Sequence, residues 1–137
     1  MVTLIVGRKG SGKTKKLVDA ANEAARTVSG NVVVVEPKEK LTREIAHEAR
    51  LISLEPYNIQ DADQLFGFLC GICASNYDIQ EIFVDSVLRV IGEASLSPFI
   101  DKIEKLAEYA ETKITFSVSV AEEDVPEELQ SRVEIVS

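Results

Sequence analysis

A chain of 137 residues with 45% hydrophobic residues, 15 Lys/Arg and 23 Asp/Glu reads as one soluble globular domain large enough to bury a core. No apolar run approaches the ~20 residues of a membrane span, so no spanning segment is expected. The net charge of -8 is uneven, with ten Lys/Arg against six Asp/Glu in residues 1–50 and five against seventeen in residues 51–137. The acidic half argues against a broad nucleic-acid footprint.

Val2–Val6 is an apolar, β-branched run that predicts a first strand. It leads straight into the next motif, which leaves no room for a signal peptide and makes the cytoplasm the expected compartment. That motif is Gly7-Arg8-Lys9-Gly10-Ser11-Gly12-Lys13-Thr14, which reads G-x-x-x-x-G-K-T. A helix is predicted from about Lys13 to Val28, with Leu17, Ala20, Ala21, Ala24, Ala25 and Val28 inward and Ser29-Gly30 ending it. Strand, glycine loop and helix in this order resemble the nucleotide-binding start of the P-loop NTPases. The glycines let backbone N–H groups turn inward, and with the free amides of the helix start they form an anion site. Lys13 would reach the β- and γ-phosphates, and the Thr14 hydroxyl would ligate Mg²⁺. Gly7, Arg8, Lys9, Gly10, Ser11, Gly12, Lys13, Thr14 and Lys15 are therefore the candidate nucleotide-binding residues.

Asn31 opens a four-valine strand, Val32–Val35, whose continuous β-branched run suits a parallel strand buried on both faces; Glu36-Pro37 closes it. A helix is expected over Lys38–Ile52, with the apolar stripe Leu41, Ile45, Ala49 and Ile52 inward and His47 exposed. Leu54–Gln60 reads as irregular around Pro56. Asp61 and Gln64 form a capping-box variant ahead of a strongly apolar helix, Ala62–Ala74, and Ser75–Asp78 is a loop. The Cys70-Gly71-Ile72-Cys73 pair lies in that helix with no second pair and one histidine in the chain, which favours packing cysteines over a zinc or redox site.

Glu81–Ser86 is the third strand, with Asp85 at its end. Val87–Leu96 reads as a mobile connection with a short helical turn. Ser97-Pro98 is expected to cap a helix whose inward residues are Phe99, Ile100, Ile103, Leu106, Ala107 and Ala110. Lys113–Val120 is the fourth strand, Glu122-Glu123-Asp124 a charged loop, Pro126 the start of one helical turn, and Arg132–Val136 a last short strand. The order β-α-β-α-α-β-α-β-α-β predicts an α/β fold, a three-layer αβα sandwich around a five-stranded parallel sheet.

In such sheets ligands bind at the carboxyl ends of the strands. The glycine loop, Glu36, Asp85-Ser86 and the Ser117/Ser119 region are four polar strand endings on that rim. Asp85, an acid after an apolar strand downstream of a phosphate loop, is the second candidate metal residue beside Thr14.

Ile82-Phe83-Val84-Asp85-Ser86 resembles the Walker B strand of RecA-like ATPases, within the ASCE division of P-loop NTPases. ABC and AAA+ ATPases carry a Glu where this chain has Ser86. RecA-like proteins take their catalytic Glu from the end of the second strand, where Glu36 stands. The resemblance implies strand order 5-1-4-3-2, Glu36 polarising the attacking water with Lys13 on the phosphates, and Ser117 or Ser119 as a γ-phosphate sensor. Leu129-Gln130-Ser131-Arg132 resembles the Ser-Arg stretch of AAA+ clamp loaders, whose Arg enters a neighbour's site. Without the rest of that pattern, an ordinary surface arginine is the plainer reading of Arg132.

The expected function is therefore binding of Mg-ATP, or another nucleoside triphosphate, with slow hydrolysis in a RecA-like switch or motor subunit, acting alone, as a homo-oligomer or with a protein partner. Two alternatives stand beside it. One is a nucleotide-binding regulatory or scaffold protein without turnover. The other is a small-molecule or nucleoside kinase, for which Arg89 is the lid candidate. A local nucleic-acid strip of Arg8, Lys9, Lys15, Lys16, Lys38, Lys40 and Arg43 is open, though a solvated helix face explains these charges more simply.

Overall fold

The β-branched runs become strands of one sheet, and the apolar stripes between them become helices that cover it. The computed structural model describes residues 1–135, the last by its backbone alone. In chain order the elements are β1 (Val2–Gly7), α1 (Lys13–Thr27), β2 (Asn31–Glu36), β3 (Ala49–Ser53), α2 (Ala62–Ser75), β4 (Ile79–Val84), α3 (Leu88–Ile91), α4 (Leu96–Ala110), β5 (Lys113–Ser119) and β6 (Val133–Ile135), with short 3₁₀ turns between several of them.

All pairings are parallel and the strand order is β3-β2-β4-β5-β1-β6. Alternation along each strand divides the core in two. On one face Leu4, Val33, Val35, Ile82, Val84, Ile114 and Phe116 pack with Leu65 and Leu69 of α2 and Phe99, Ile100 and Ile103 of α4. On the other, Ile5, Val32, Val34 and Phe83 pack with Leu17, Val18 and Ala21 of α1. Phe99 meets Phe116 edge-on, ring centroids 5.7 Å apart, which adds orientation to that burial. The small residues of α1 let it lie close to the sheet. Below it Gly30 passes so near β4 that a Cβ there would sit 2.3 Å from the Asp78 carbonyl oxygen.

Six strands, not five, form this sheet. The five expected strands keep their expected neighbours, and β3 is added outside β2 where a helix over Lys38–Ile52 was anticipated. Leu41, Ile45 and Ala49 are buried, as a helical stripe would be. Side chains nevertheless take the backbone groups that a helix would need. The Glu36 carboxylate accepts the N–H groups of Lys40 and Leu41. The Asn22 carboxamide of α1 donates to the Glu44 carbonyl and accepts from the Ala46 N–H. The chain turns through these anchors and then pairs with β2, from Val32 opposite Ala49 to Glu36 opposite Ser53. His47 is exposed as expected, but in a turn.

The short helical turn expected in the Val87–Leu96 connection forms as α3, followed by a 3₁₀ turn. One further expectation changes. Ser97 does not cap a helix, since α4 starts at Leu96 and the Ser97 hydroxyl donates to Glu128 Oε1 at 2.7 Å. β6 is described over Val133–Ile135, and Val136, expected as its end, lies outside the described residues.

The Asp61 cap forms, its carboxylate accepting the Gln64 N–H at 2.8 Å, but the return bond of the capping box shifts by one residue, Gln64 Oε1 accepting the Gln60 N–H at 2.7 Å. Cys70 and Cys73 are free thiols on α2, and burial pushes both above the ordinary thiol range. Cys73 belongs to the core, as a packing residue would. No helix among the described residues is long and apolar enough to cross a membrane.

Candidate functional site

Parallel strands leave their carboxyl ends on one rim, so the residues that end β1, β2, β4 and β5 meet there. The loop after β1 needs two left-handed residues, and glycine supplies both, with φ 83° at Gly10 and φ 96° at Gly12. Ser11 N–H donates to the Arg8 carbonyl at 3.0 Å and tightens the bend. Neither Gly10 N–H nor Gly12 N–H finds an acceptor among the described residues. The first amides of α1 lack intrahelical partners by geometry. The Ser11 hydroxyl is also buried without a partner.

Lys13 begins α1 and is 6% exposed. It makes no salt bridge among the described residues, and its ammonium donates to the Arg8 carbonyl at 3.4 Å. Burial lowers its pKa from the ordinary lysine value; the Asp85 charge opposes that shift and the Arg89 charge adds to it. Asp85 offsets only part of the cost of burying this ammonium, and a further anion beside it would relieve the rest.

Asp85 follows β4 and is held by three hydroxyls. Thr14 donates to Oδ1 at 3.0 Å, Ser117 to Oδ1 at 2.7 Å and Ser86 to Oδ2 at 3.1 Å. Ser117 is fully buried on β5, and its oxygen also accepts the Ser86 N–H at 2.7 Å. That bond helps hold Ser86 at φ 53°, a left-handed conformation that costs a side-chain-bearing residue about 1–2 kcal/mol. The resulting turn starts α3 directly behind Asp85.

Glu36 ends β2 and is 1% exposed. Its Oε1 takes the Lys40 and Leu41 amides at 2.9 and 3.1 Å, and its Oε2 takes the Ser53 hydroxyl at 3.0 Å. Thr14, Glu36, Asp85, Ser86, Lys40 and Arg89 line one cleft.

The remaining candidates lie around this centre. Gly7 is buried at the end of β1, and Lys9 is exposed. Arg8 is exposed and pairs with Glu123 at 2.9 Å, so the acidic loop after β5 touches the glycine loop. Lys15 pairs with Asp19 at 3.0 Å on the outside of α1, which leaves its backbone amide as its contribution to the loop. Ser119 is exposed, while Ser117 lies beneath Asp85. Arg132 pairs with Glu104 of α4 at 3.3 Å and makes an intramolecular bridge here.

Sequence reasoning missed the supports. Ser53 ends a strand with a polar residue, the same signal that marked Glu36 and Asp85, but the helical reading of Lys38–Ile52 hid it. Arg89, read from sequence as a lid candidate, lines the cleft itself.

No protein-family model matches the chain, and no curated protein matches it. The site therefore stands on its geometry.

For a metal, the cleft offers the Asp85 carboxylate with the Thr14 and Ser86 hydroxyls against it, and the Glu36 carboxylate on the same lining. No cluster of three or more His, Cys, Asp or Glu side chains able to hold a metal occurs among the described residues. Such a sparse, hard-oxygen donor set suits Mg²⁺, which typically takes one or two carboxylates and completes its shell with phosphate oxygens and water.

Proposed function

We propose that this chain is a P-loop NTPase core of RecA-like type, which binds a nucleoside triphosphate with Mg²⁺, ATP by preference, and hydrolyses it slowly. The observation that carries this reading is the buried, unpaired Lys13 ammonium beside the unpartnered amides of Gly10 and Gly12. Together they offer a positive charge and free N–H donors that a polyanion would satisfy. Phosphate groups on that loop would be held by its amides and by Lys13. Thr14 and Asp85 would hold Mg²⁺, which when bound offsets the charge of the phosphate oxygens. Glu36 supplies a carboxylate in the same cleft, and its Oε2, carrying the Ser53 bond, orients the attacking water. Slow turnover is expected because, among the described residues, Arg89 is the one arginine beside Lys38 and Lys40 on the cleft lining, which leaves little bidentate compensation for transition-state charge. ATP is favoured over GTP because the chain carries no Asn-Lys-x-Asp run.

The test is thermal unfolding and phosphate release with Mg-ATP, with and without single-stranded DNA, alongside solution size. Ligand at 100 times Kd should stabilise the fold by about 2.7 kcal/mol. Lys13→Ala should abolish that shift together with phosphate release. Absence of a shift at millimolar Mg-ATP would overturn the reading. Binding without Lys13-dependent turnover would replace it with a nucleotide-binding regulatory protein.

A further inference from the structure

The nucleotide cleft has a neighbour. A cavity of about 280 Å³, just under the ~300–1,000 Å³ range of ligand sites, opens beyond Glu36 between the corner after β3 and α3. It shares Pro37, Lys38 and Arg89 with the cleft that holds Thr14 and Asp85, so the two are neighbours. Its floor is apolar, from Leu54, Ile59 and Val90.

Ordered backbone builds its wall. Leu54 N–H donates to the Glu36 carbonyl at 2.8 Å and Glu55 N–H to the Pro37 carbonyl at 3.1 Å, which joins the corner to the end of β2. Asn58 closes the following 3₁₀ turn at φ 57°, in the left-handed region. Its Oδ1 accepts from Gln60 Nε2 at 2.8 Å, and its own amide N–H groups have no acceptor among the described residues.

The charges in this wall are unmatched. Lys38 and Arg89 make no salt bridge among the described residues, and Glu55, which lines the same cavity, pairs with neither. Two open cations and an open carboxamide over an apolar floor are what a small molecule with an oxyanion at one end requires. All three side chains are exposed and so free to turn onto a ligand.

We infer that the Lys38–Asn58–Arg89 cavity is a second ligand site, taking a small carboxylate- or phosphate-bearing molecule beside the nucleotide. It rests on the nucleotide reading in one respect, that the neighbouring cleft holds the triphosphate. The chain then works on two ligands at once, and Arg89 is the side chain common to both.

The test uses the full chain saturated with Mg²⁺ and a β,γ-imido ATP analogue, so that the terminal phosphate position is filled. Orthophosphate is titrated in one arm and malonate in the other, following the side-chain amide NMR signals of Asn58 and Gln60. Saturable shifts are expected in at least one arm, and the arm that responds identifies the oxyanion. Affinity should fall about tenfold in Lys38→Met and in Asn58→Gly, as loss of a hydrogen bond to a charged group predicts. Asn58→Gly preserves the left-handed backbone and so the fold. Absence of saturable shifts in both arms, or affinities unchanged in both variants, overturns the inference. Whether the analogue itself moves the backbone amides of Gly10 and Gly12 is read in the same spectra. Failure there overturns the nucleotide reading instead, independently of the Asn58 signals.

Discussion

The Thr14 hydroxyl donates to Asp85 Oδ1 at 3.0 Å across 71 residues of chain. Ser117, on the strand between them, donates to the same oxygen at 2.7 Å. Position of the carboxylate is therefore set from two directions before any ligand arrives. That is the preorganisation an electrostatic site requires.

Ser117→Ala removes this second support and leaves the Ser86 N–H without its acceptor. A buried donor left unpaired costs about 1–3 kcal/mol, to be read as a lower urea midpoint. Half-maximal Mg²⁺ for nucleotide binding should also rise, because Asp85 loses its orientation. Unchanged Mg²⁺ dependence in a destabilised variant would restrict Ser117 to a packing role.

Glu36→Gln separates two roles of one side chain. The carboxamide oxygen can still accept the Lys40 and Leu41 amides, and the Ser53 hydroxyl can rotate to accept from the new NH₂ group. Fold and Mg-ATP affinity should persist while phosphate release falls by about 10²-fold or more, the typical contribution of a general base. Wild-type turnover in this variant would leave Glu36 as a clamp for the turn alone.

Lys13→Met should keep or raise the thermal midpoint of the free protein while nucleotide binding is lost. The sign follows from the lowered pKa of Lys13. At neutral pH the ammonium is charged in both states, so its desolvation penalty falls on the folded state in full. The penalty is relieved as pH rises through the folded pKa and is gone above the unfolded value of ~10.5. Wild type should therefore gain on the variant only in that alkaline window. Parallel stability curves from pH 7 to 11 would refute the assignment of the penalty to Lys13.

Asn22→Ala releases the turns that follow Glu36. Loss of both bonds, to Glu44 and Ala46, should cost about 1–3 kcal/mol and speed trypsin cleavage at Lys38, Lys40 and Arg43. A cleavage rate equal to wild type at those sites would mean the turns are held by other contacts.

The parts legible in sequence were those that local chemistry dictates. Glycines at the left-handed positions, the apolar run before Asp85 and the four valines of β2 each admit one structure. Leu41, Ile45, Ala49 and Ile52 did not, because spacings of three and four suit both a helical stripe and a chain pinned by side chains at intervals. What decided between them was Asn22, on another element, and Glu36, whose bonds run forward into the segment. The family resemblance implied Ser117 or Ser119 as a phosphate sensor, and alternation gives the face of each but not its neighbour. Only the fold puts Asp85 between Ser117 and the cleft.

β3 has a consequence away from the cleft. Without it, β2 would be the outermost strand, and Val32–Val35 would present a bare hydrogen-bonding edge of uninterrupted β-branched residues with no proline. Such an edge is a template for pairing with other chains. β3 covers it with a five-residue strand that carries the exposed Arg50, short and charged as natural sheet edges are. The segment that escaped the helical pattern thus protects the molecule against self-association through its most aggregation-prone run.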